Sequence, residues 1–496
     1  MLRFFYICGI LLKYAFLYVL IRFNISHTPL NKLIKKIFED AGGSFIKFGQ
    51  LLSLRVDILP KEYSIDMFDL LDNVKAFSYD DVKEVFISDL GATPEKIFID
   101  FQKEPFASGS FGQVHAAKLD DQTIVAVKIL RPGIEETVQA DFLVITFLAY
   151  IGDLFFKISG FSWREFAEEF KRWTIQELDY HIEAEHAQRM IHNLEPDDHL
   201  VIPKIYDRYS TKRILVQEYI EGVHLSRVFR GLKDGRLTHD EMKKMGYDLK
   251  ALSSLLSQEL LKQYFIHGFF HADLHPGNII LLPNNKIALI DFGIVGESLA
   301  SNQEEFMHFI KAAGDFKFKE ATFYFATIAG KDLRRMIMSA FPASIDQEQV
   351  NDFLRVLTDH FSQVVERIFQ ENRTALNTKK TDYTVMLMKI LAASENYKIK
   401  LPREFAIFIK TLSTLGLLCK EMDYDYRVNK EIKLFFERNP IETMPLPPAR
   451  NTTYRRISRE RAFEQLNNWL AYLIEVDPAI YKLVNTYITQ YNLVDK

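Results

Sequence analysis

The stretch FASGSFGQVHAAKLDDQTIVAVK, residues 106–128, is the most informative part of the chain for predicting its fold. Polar and apolar residues alternate after Gly112, Asp120 and Asp121 mark a turn, and a β-rich run follows over 123–128. The pattern predicts an antiparallel strand–turn–strand unit. Glycines at its start let backbone N–H groups approach phosphate oxygens without an intervening Cβ.

A lysine ends the second predicted strand. Lys128 follows Gly112 by sixteen residues, and a lysine at this position would face the cleft and hold two phosphates. The alternative is a surface lysine whose ammonium stays in water. The glycine-rich turn is a weak signal by itself, and we assign it to phosphate binding because Lys128 follows it. The predicted loop comprises Phe106, Ala107, Ser108, Gly109, Ser110, Phe111, Gly112, Gln113 and Val114.

Two motifs with acidic residues follow further along the chain. The segment HADLHPGN, residues 271–278, contains Asp273, which can orient or deprotonate a nucleophile, and Asn278, which can bind a metal ion. The triplet DFG starts at Asp291, directly after a predicted strand over 286–290. Its carboxylate can bind Mg²⁺ that bridges nucleotide phosphates.

Zinc is the alternative for the two histidines of the first motif, His271 and His275. Their four-residue spacing suits ligands on a helix. Pro276 and Gly277 make this segment a loop, so we discount zinc.

A helix predicted over about 163–194 supplies the acidic partner of Lys128. Helical spacing places Asp179, Glu183 and His186 on one stripe of that helix. We choose Glu183, since a carboxylate on this stripe would fix the position of the lysine. The alternative is a solvated acidic face.

The order of these parts is the order of the protein-kinase motifs: glycine-rich loop, strand lysine, helix glutamate, Asp–Asn loop and DFG. It predicts ATP and Mg²⁺ as cofactors. Glu218, which ends a predicted strand over 213–218, is assigned to the nucleotide site as well. The predicted catalytic residues are Asp273, Lys128 and Glu183, and the predicted metal ligands are Asn278 and Asp291.

With these motifs, the sequence resembles the UbiB/AarF family of atypical kinase-like proteins over about residues 29–430. KFGQ at 47–50 matches the family's KxGQ motif, and ELD at 177–179 matches its ExD motif. The segment 271–278 resembles the family's HADxHPGN loop, and Glu183 falls where the family has its lysine-paired glutamate.

The resemblance implies a two-lobed α+β fold of the protein-kinase type, with a small β-rich N-lobe, a helical C-lobe, a helical N-terminal extension and a helical C-terminal tail. The implied activity is Mg²⁺-dependent nucleotide binding and ATP hydrolysis in support of ubiquinone biosynthesis at a membrane. The implied partners are membrane lipids or quinone precursors and, beyond them, quinone-biosynthesis enzymes. In relatives the KxGQ and ExD motifs occupy the space of a peptide substrate, which implies a regulatory role here for Lys47, Gly49, Gln50, Glu177 and Asp179.

The chain departs both from these relatives and from ordinary protein kinases. Many relatives have an alanine-rich phosphate loop, whereas Gly109 here predicts a more kinase-like nucleotide preference. After Gly293, seven residues precede a helix predicted to start at Ser301, so no long activation segment fits. A platform for a peptide substrate is therefore missing, which argues against a kinase that phosphorylates proteins.

The N-terminal segment 1–23 is apolar but contains Arg3, Lys13 and Arg22. A bilayer span needs about 20 largely apolar residues, and the uncharged runs here are shorter. We therefore predict a helix in the membrane interface, at the cytoplasmic face, with a buried or partner-facing helix and a true span as the alternatives. No other stretch approaches a span, and residues 142–152 are predicted as a core helix.

Composition restricts the remaining function classes. A net charge of −4 and a pI near 6.4 provide no basic field for nucleic acid. Two cysteines are too few for a disulfide framework, so a reducing compartment is expected. The 41 phenylalanines among 496 residues indicate a large aromatic core or contact with lipid.

Three functions stay open at this point. The first is an ATPase or small-molecule kinase that supports quinone biosynthesis. The second is a nucleotide-gated module that presents lipid precursors with negligible turnover, and the third is a phosphotransferase for antibiotics or choline.

The predicted domains are an apolar helix over 1–28, the KxGQ-bearing extension over 29–102, the N-lobe with inserted helices over 103–222, the C-lobe over 223–437, and a Pro-containing linker with a helical tail over 438–496.

Overall fold

The chain forms two compact units. Unit 1 comprises residues 1–158, 162–237 and 275–295, and unit 2 comprises residues 159–161, 238–274 and 296–496. The helix start predicted at Ser301 and most of the predicted linker and tail lie outside the described residues. The computed structural model describes residues 2–23, 29–53, 75–155, 162–194, 199–298, 302–328, 362–371, 383–396 and 403–444, and single positions at 355, 359, 478, 481–482 and 485–486.

Helices and short strands alternate along unit 1, and helices dominate unit 2. The helices are α1 (Leu2–Arg22), α2 (Leu30–Ala41), α3 (Ser44–Ser53), α4 (Tyr79–Leu90), α5 (Pro94–Ile97), α6 (Ile134–Phe155), α7 (Trp163–Glu177), α8 (Tyr180–His192), α9 (Leu225–Lys233), α10 (His239–Lys244), α11 (Leu249–Phe265), α12 (Gln303–Gly314), α13 (Tyr383–Asn396), α14 (Arg403–Met422) and α15 (Val428–Arg438). The strands are β1 (Asp100–Phe101), β2 (Ala107–Ser108), β3 (Gly112–Lys118), β4 (Ile124–Leu130), β5 (Leu200–Val201), β6 (Ile214–Glu218), β7 (Val223–His224), β8 (Phe269–His271), β9 (Ile279–Leu282), β10 (Lys286–Leu289) and β11 (Val295–Glu297).

The predicted strand–turn–strand unit is β3 and β4, at the centre of an antiparallel sheet in the order β1-β3-β4-β6 with β2 paired to β3. The register places Val114 opposite Lys128 and His115 opposite Val127. Because side chains alternate along a strand and opposite residues share a face, Val114 and Lys128 lie on one face and His115 and Val127 on the other.

The face that carries Val127 is buried against α4 and the chain around β1. Each large apolar side chain buried in this way stabilises the fold by about 1.5–3 kcal/mol, so this core fixes the sheet and leaves Lys128 on the opposite face. The buried cluster consists of Val82, Val85, Phe86, Phe98, Phe101, Ala117, Leu119, Val125, Val127, Ile129, Ile214 and Val216.

The helix predicted over 163–194 is two helices, α7 and α8, and the prediction of one continuous helix is wrong. Asp179 has an extended backbone (φ −135°) and caps α8, where its carboxylate accepts a hydrogen bond of 3.0 Å from the backbone N–H of His181. Asp179 therefore precedes the helix rather than belonging to its stripe. An aspartate at an N-cap accepts a hydrogen bond from one of the free N–H groups at the start of a helix. This explains why a new helix, α8, begins after Asp179.

The N-terminal helix α1 is attached to the rest of unit 1 through a partly buried ion pair. Arg3 Nε donates to Asp141 Oδ1 on α6 at 2.7 Å, and Arg3 Nη2 donates to the carbonyl of Ala41 at 2.7 Å. The second oxygen of Asp141, Oδ2, accepts from the backbone N–H of Ser44 at 3.0 Å. Asp141 is fully buried, and its charge is compensated by these partners.

Two helices of unit 1 are long and apolar enough to cross a membrane, among the residues that the structure describes: 3–22 in α1 and 134–155 in α6. The prediction that no stretch beyond the N-terminus approaches a span is therefore wrong for α6. The predicted core helix over 142–152 is buried on one side only, because Leu143 and Phe147 are 75% and 53% exposed.

Unit 2 contains a dense aromatic core that accounts for part of the high phenylalanine content. The rings of Tyr264 and Phe408 lie 3.8 Å apart between their centroids, and those of Phe306 and Phe405 lie 3.5 Å apart. These side chains join α11, α12 and α14, all of them within unit 2.

Candidate functional site

Lys128, Glu183 and Asp291 lie together in unit 1. The Nζ atom of Lys128 is 2.5 Å from Glu183 Oε1 and 3.4 Å from Asp291 Oδ2, and it donates to the carbonyl oxygen of Ile290 at 3.0 Å. Lys128 and Glu183 are only 8% and 6% exposed, so this is a buried ion pair beside a third charged group. The structure thus brings together the strand lysine, the helix glutamate and the DFG aspartate that the sequence analysis selected.

The charges of this cluster control one another's protonation. Burial by itself would lower the pKa of Lys128, but the carboxylates of Asp291 and Glu183 outweigh burial and raise it, so the ammonium is retained. Burial raises the pKa of Glu183, Lys128 opposes that rise, and Asp291 adds to it. The pKa of Glu183 is thus raised overall, and Lys128 limits the rise.

Asp291 differs from its neighbours because its side chain is 42% exposed. Its Oδ1 accepts from the backbone N–H of Gly293 at 3.1 Å, while Oδ2 faces Lys128. One carboxylate is thus held in a fixed orientation at the surface of a buried cationic centre. This arrangement can bind a divalent cation that also contacts phosphate oxygens.

The strand register brings Asn278 to the same end of the sheet as Asp291. β9 and β10 are antiparallel with Ile279 opposite Leu289, and the backbone N–H of Ile290 donates to the carbonyl of Asn278 at 3.1 Å. An amide oxygen and a carboxylate oxygen fit Mg²⁺, which uses few protein ligands and completes its shell with water and phosphate. No group of three or more His, Cys, Asp or Glu side chains suited to a metal ion occurs in the described part of the chain.

The predicted phosphate loop is the hairpin between β2 and β3. The backbone N–H of Gly109 donates to the carbonyl of Gly112 at 2.8 Å and closes it. A Cβ on Gly112 would lie 2.5 Å from the carbonyl oxygen of Ile129 and 3.0 Å from the hydroxyl of Tyr180, so this position requires glycine. A Cβ on Gly109 would meet nothing closer than 3.8 Å. The local backbone therefore depends on Gly112, and Gly109 has room for a methyl group.

Gln113 was assigned to the nucleotide site, but the structure places its side chain on the opposite face of β3 from Lys128. Its Oε1 accepts from the backbone N–H of Phe77 at 2.9 Å, and its Nε2 lies 2.9 Å from His115 Nε2. Alternation along β3 sends the Gln113 side chain towards α4, so a nucleotide role for this residue stays a prediction for its backbone N–H alone. Only its backbone faces the predicted loop.

Two other residues assigned to the nucleotide have partners at the edge of the sheet. Phe106 packs edge-to-face on Tyr219, with ring centroids 5.7 Å apart. Glu218 accepts from the backbone N–H of Lys204 at 3.2 Å through Oε2. Both positions flank the chain that leaves β6, and their nucleotide roles stay predictions.

The KxGQ and ExD motifs meet next to the DFG segment. Lys47 Nζ, on α3, is 2.7 Å from Glu177 Oε1 at the end of α7. A Cβ on Gly293 would lie 3.2 Å from Glu177 Cγ, so the ion pair rests directly against the DFG glycine. Gly49 and Gln50 lie on the same helix as Lys47.

Asp273 belongs to unit 2, because the loop over 271–278 passes from unit 2 to unit 1 after Leu274. The backbone N–H of Asp273 donates to His271 Nδ1 at 3.2 Å, and the backbone N–H of His271 donates to Gln263 Oε1 at 3.0 Å. His271 is thus used in shaping this loop. The catalytic role of Asp273 stays a prediction from its motif.

His186 contacts the DFG segment, although the sequence motifs predict no role for it. His186 Nδ1 donates to the carbonyl of Phe292 at 2.9 Å, and Glu183 Oε1 accepts from the N–H of Phe292 at 3.2 Å. The signal was present, since His186 lies three residues after Glu183 on the same stripe. Position on a stripe shows which residues share a face but does not show which backbone they contact.

Comparison with known proteins gives a consistent picture. A family model described as the ABC1 atypical kinase-like domain matches residues 69–324. An uncharacterised protein of the hydrogenase 1 5′ region of Clostridium pasteurianum is 31% identical over 388 residues, which cover 78% of this chain and 67% of that protein. A probable protein kinase UbiB of Histophilus somni is 28% identical over 391 residues, covering 76% of this chain and 65% of the relative.

Among solved structures, the erythromycin complex of Rv3197 from Mycobacterium tuberculosis matches with a TM-score of 0.49 at 22% identity, covering 82% of this chain and 94% of that one. The family match, together with the helices and small antiparallel sheets described above, confirms the two-lobed α+β kinase-like fold predicted from the sequence. The resemblance to the UbiB/AarF family is confirmed as well.

Proposed function

Because the chain belongs to the ABC1 atypical kinase-like family, we propose that it is a kinase-type enzyme that binds Mg-ATP and hydrolyses it or transfers its phosphoryl group to a small molecule. The observation that carries this proposal is the cluster of Lys128, Glu183 and Asp291, with one exposed carboxylate beside a retained ammonium. Catalysis of phosphoryl transfer is mostly positioning and charge neutralisation, and this cluster can supply both.

Each residue of the cluster has a defined task in this proposal. Lys128 holds phosphate oxygens, and Glu183 holds Lys128. Asp291 and Asn278 would bind Mg²⁺, which neutralises charge that develops on the phosphates when it is bound. Asp273 keeps the task predicted from its motif, which is to align water or a hydroxyl group.

The segment after DFG fits a small molecule or water as the phosphoryl acceptor better than it fits a protein substrate. The Lys47–Glu177 ion pair lies against Gly293, and seven residues separate that glycine from Ser301. We infer that the acceptor is a lipid or phenolic precursor, or water, and that the reaction supports quinone biosynthesis. The quinone context comes from the resemblance to the UbiB/AarF family, and two relatives are named probable protein kinase UbiB.

We further propose that α1 attaches the protein to a membrane at its cytoplasmic face. The exposed residues of α1 are mainly apolar and aromatic, and its two first cations are paired, Arg3 with Asp141 and Lys13 with Asp40. Pairing of this kind lowers the cost of placing a cationic helix against lipid.

Substitution of the metal ligand tests the enzymatic proposal. Asp291→Asn keeps the size of the side chain but removes the charge, so Mg-ATP turnover should fall by at least about 100-fold with an unchanged melting temperature. Asp120→Asn, in the exposed β3–β4 turn, is the matched control and should keep wild-type turnover. Turnover of Asp291→Asn close to wild type would remove Asp291 from the mechanism.

A binding module without turnover is the second candidate, because the apolar faces of α1 and α6 suit presentation of lipid precursors. ATP hydrolysis by the full chain, measured with and without vesicles that contain phosphatidylglycerol, separates the two. Hydrolysis in either condition that is lost in Asp291→Asn supports the enzyme. Tight Mg-ATP binding without hydrolysis in both conditions would support the module.

A further inference from the structure

We propose that His186 is a positioning residue that sets the orientation of the Asp291 carboxylate and thereby the affinity of the site for a divalent cation. The inference rests on the proposed function of Asp291 as the metal ligand. It assigns a role to a side chain that hydrogen-bonds the backbone next to the proposed metal ligand.

The peptide unit that joins Phe292 to Gly293 links His186 to Asp291. His186 Nδ1 donates to its carbonyl oxygen at 2.9 Å, and its N–H, which belongs to Gly293, donates to Asp291 Oδ1 at 3.1 Å. A peptide unit is planar and its C=O and N–H point in opposite directions. Fixing the carbonyl on His186 therefore aims the N–H at the carboxylate of Asp291.

Glycine makes this restraint necessary. A peptide that precedes glycine can flip by half a turn, since glycine accepts positive φ at little cost. After such a flip the carbonyl oxygen rather than the N–H of the Phe292–Gly293 peptide would face Asp291 Oδ1. The contact with His186 opposes the flip, because it would lose its acceptor.

The remaining contacts hold other parts of the segment. Glu183 Oε1 accepts from the N–H of Phe292, which belongs to the preceding peptide unit, and Lys128 contacts Asp291 Oδ2. Glu177 packs against the α-carbon of Gly293. His186 contacts a different atom of the segment, the carbonyl oxygen of Phe292.

The supporting helix is well suited to this task. α8 begins at the Asp179 cap and buries Ala184, Ala187 and Met190, so its register is fixed from both its start and its core. His186 and Glu183 are three residues apart and reach the two peptide units on either side of Phe292.

The test compares metal dependence with metal-free binding in the full chain. His186→Ala should raise the Mg²⁺ concentration for half-maximal ATP binding about tenfold, the effect of losing about one hydrogen bond. ATP affinity without metal, measured by calorimetry, should stay within about twofold of wild type, because Lys128 is untouched. A purely structural role would not separate these two quantities.

Two further variants complete the experiment. His186→Asn places an amide nitrogen at the branch position of Nδ1 and should recover most of the Mg²⁺ affinity. His192→Ala, at an exposed position on the same helix, should match wild type throughout. If His186→Ala does not fold, His186→Leu at the same position serves as the donor-free variant.

The outcomes separate the inference from its premise. An unchanged Mg²⁺ dependence in the donor-free variant, or no recovery in His186→Asn, overturns the positioning role while the proposed function stands. Wild-type protein that binds ATP equally with and without Mg²⁺ overturns the metal role of Asp291 and the inference with it. A selective loss of Mg²⁺ affinity that His186→Asn restores supports the inference.

Discussion

The two faces of the sheet β3–β4–β6 both bury polar side chains, but they treat them differently. On the face towards α4, Gln113 and His115 are almost completely buried, and Gln113 bonds the backbone of Phe77 while His115 bonds the carbonyl of Gln102 at 2.8 Å. On the other face, the buried pair of Lys128 and Glu183 adjoins a carboxylate, Asp291, that is 42% exposed.

The two faces differ in the partners of their buried polar side chains. Gln113 and His115 pair with backbone groups and with each other, which makes a neutral network that closes within the protein. Lys128 contacts two carboxyl groups, and one of them, Asp291, faces solvent. A closed neutral network stabilises a fold, whereas an open charged one can bind a cation and phosphates.

The largest expected difference between the faces comes from Lys128→Met. We expect turnover of Mg-ATP to fall about 1,000-fold, equivalent to about 4 kcal/mol of transition-state stabilisation. The fold should persist, because burial already raises the pKa of Glu183 and the carboxyl can take up a proton once Lys128 is absent. The measurements are steady-state kinetics and the melting temperature.

Lys118→Met is the matched control for that substitution, since Lys118 lies on the same face of β3 as Val114 and away from the cluster. It should leave turnover unchanged. Wild-type turnover in Lys128→Met would break the distinction between the two faces. An equal loss in both variants would show that the loss does not arise in the cluster of Lys128, Glu183 and Asp291.

The charged cluster of Lys128, Glu183 and Asp291 was more predictable from the sequence than the neutral network of Gln113 and His115. Spacing and motif order selected Lys128, Glu183 and Asp291, because catalytic chemistry restricts residue type at a few positions. The same reasoning assigned Gln113 to the nucleotide, since motif membership does not show which face of a strand a side chain occupies. The register against β4 supplies that information.

Helix boundaries and exposure were less predictable for a related reason. The break before α8 was visible in principle, because Asp179 is a good N-cap residue, but helical periodicity continued through it. The exposed apolar side of α6 could not be predicted, since leucine and phenylalanine, the residue types at positions 143 and 147, usually lie in protein cores. Tertiary contacts decide which side of an apolar helix is covered.

The next prediction concerns the closed network. Gln113→Leu keeps a similar volume but leaves the backbone groups of Phe77 without their side-chain partner, so we expect the free energy of unfolding to fall by about 1–3 kcal/mol. The affinity for Mg-ATP should stay within about twofold of wild type, because the side chain faces α4. Chemical denaturation and calorimetry measure the two quantities.

Val114→Ala is the counterpart of that variant on the other face. Val114 lies opposite Lys128, and its truncation should weaken nucleotide binding more than Gln113→Leu does. A larger loss of ATP affinity in Gln113→Leu than in Val114→Ala would return Gln113 to the nucleotide site.

The smallest expected effect is a pH dependence of the unfolding free energy, which arises only on the face that carries Gln113 and His115. Burial lowers the pKa of His115, and the Gln102 carbonyl and the charge of Glu104 only partly oppose this. The unfolded chain therefore binds a proton that the folded chain does not, and the stability that His115 permits is lost as the pH falls below the ordinary histidine pKa of about 6.5. Above that pH its contribution is constant.

His115→Gln, which has no titrating group, should therefore flatten the fall in unfolding free energy between pH 7 and pH 5, by less than about 1.4 kcal/mol per pH unit, the limit for one proton. Parallel curves for wild type and His115→Gln would show that the closed network tolerates a proton, and the difference between the faces would then rest on solvent exposure alone. A flattened curve together with unchanged ATP affinity would place the titration on the face away from Lys128, because a group that contacts the nucleotide would alter both quantities.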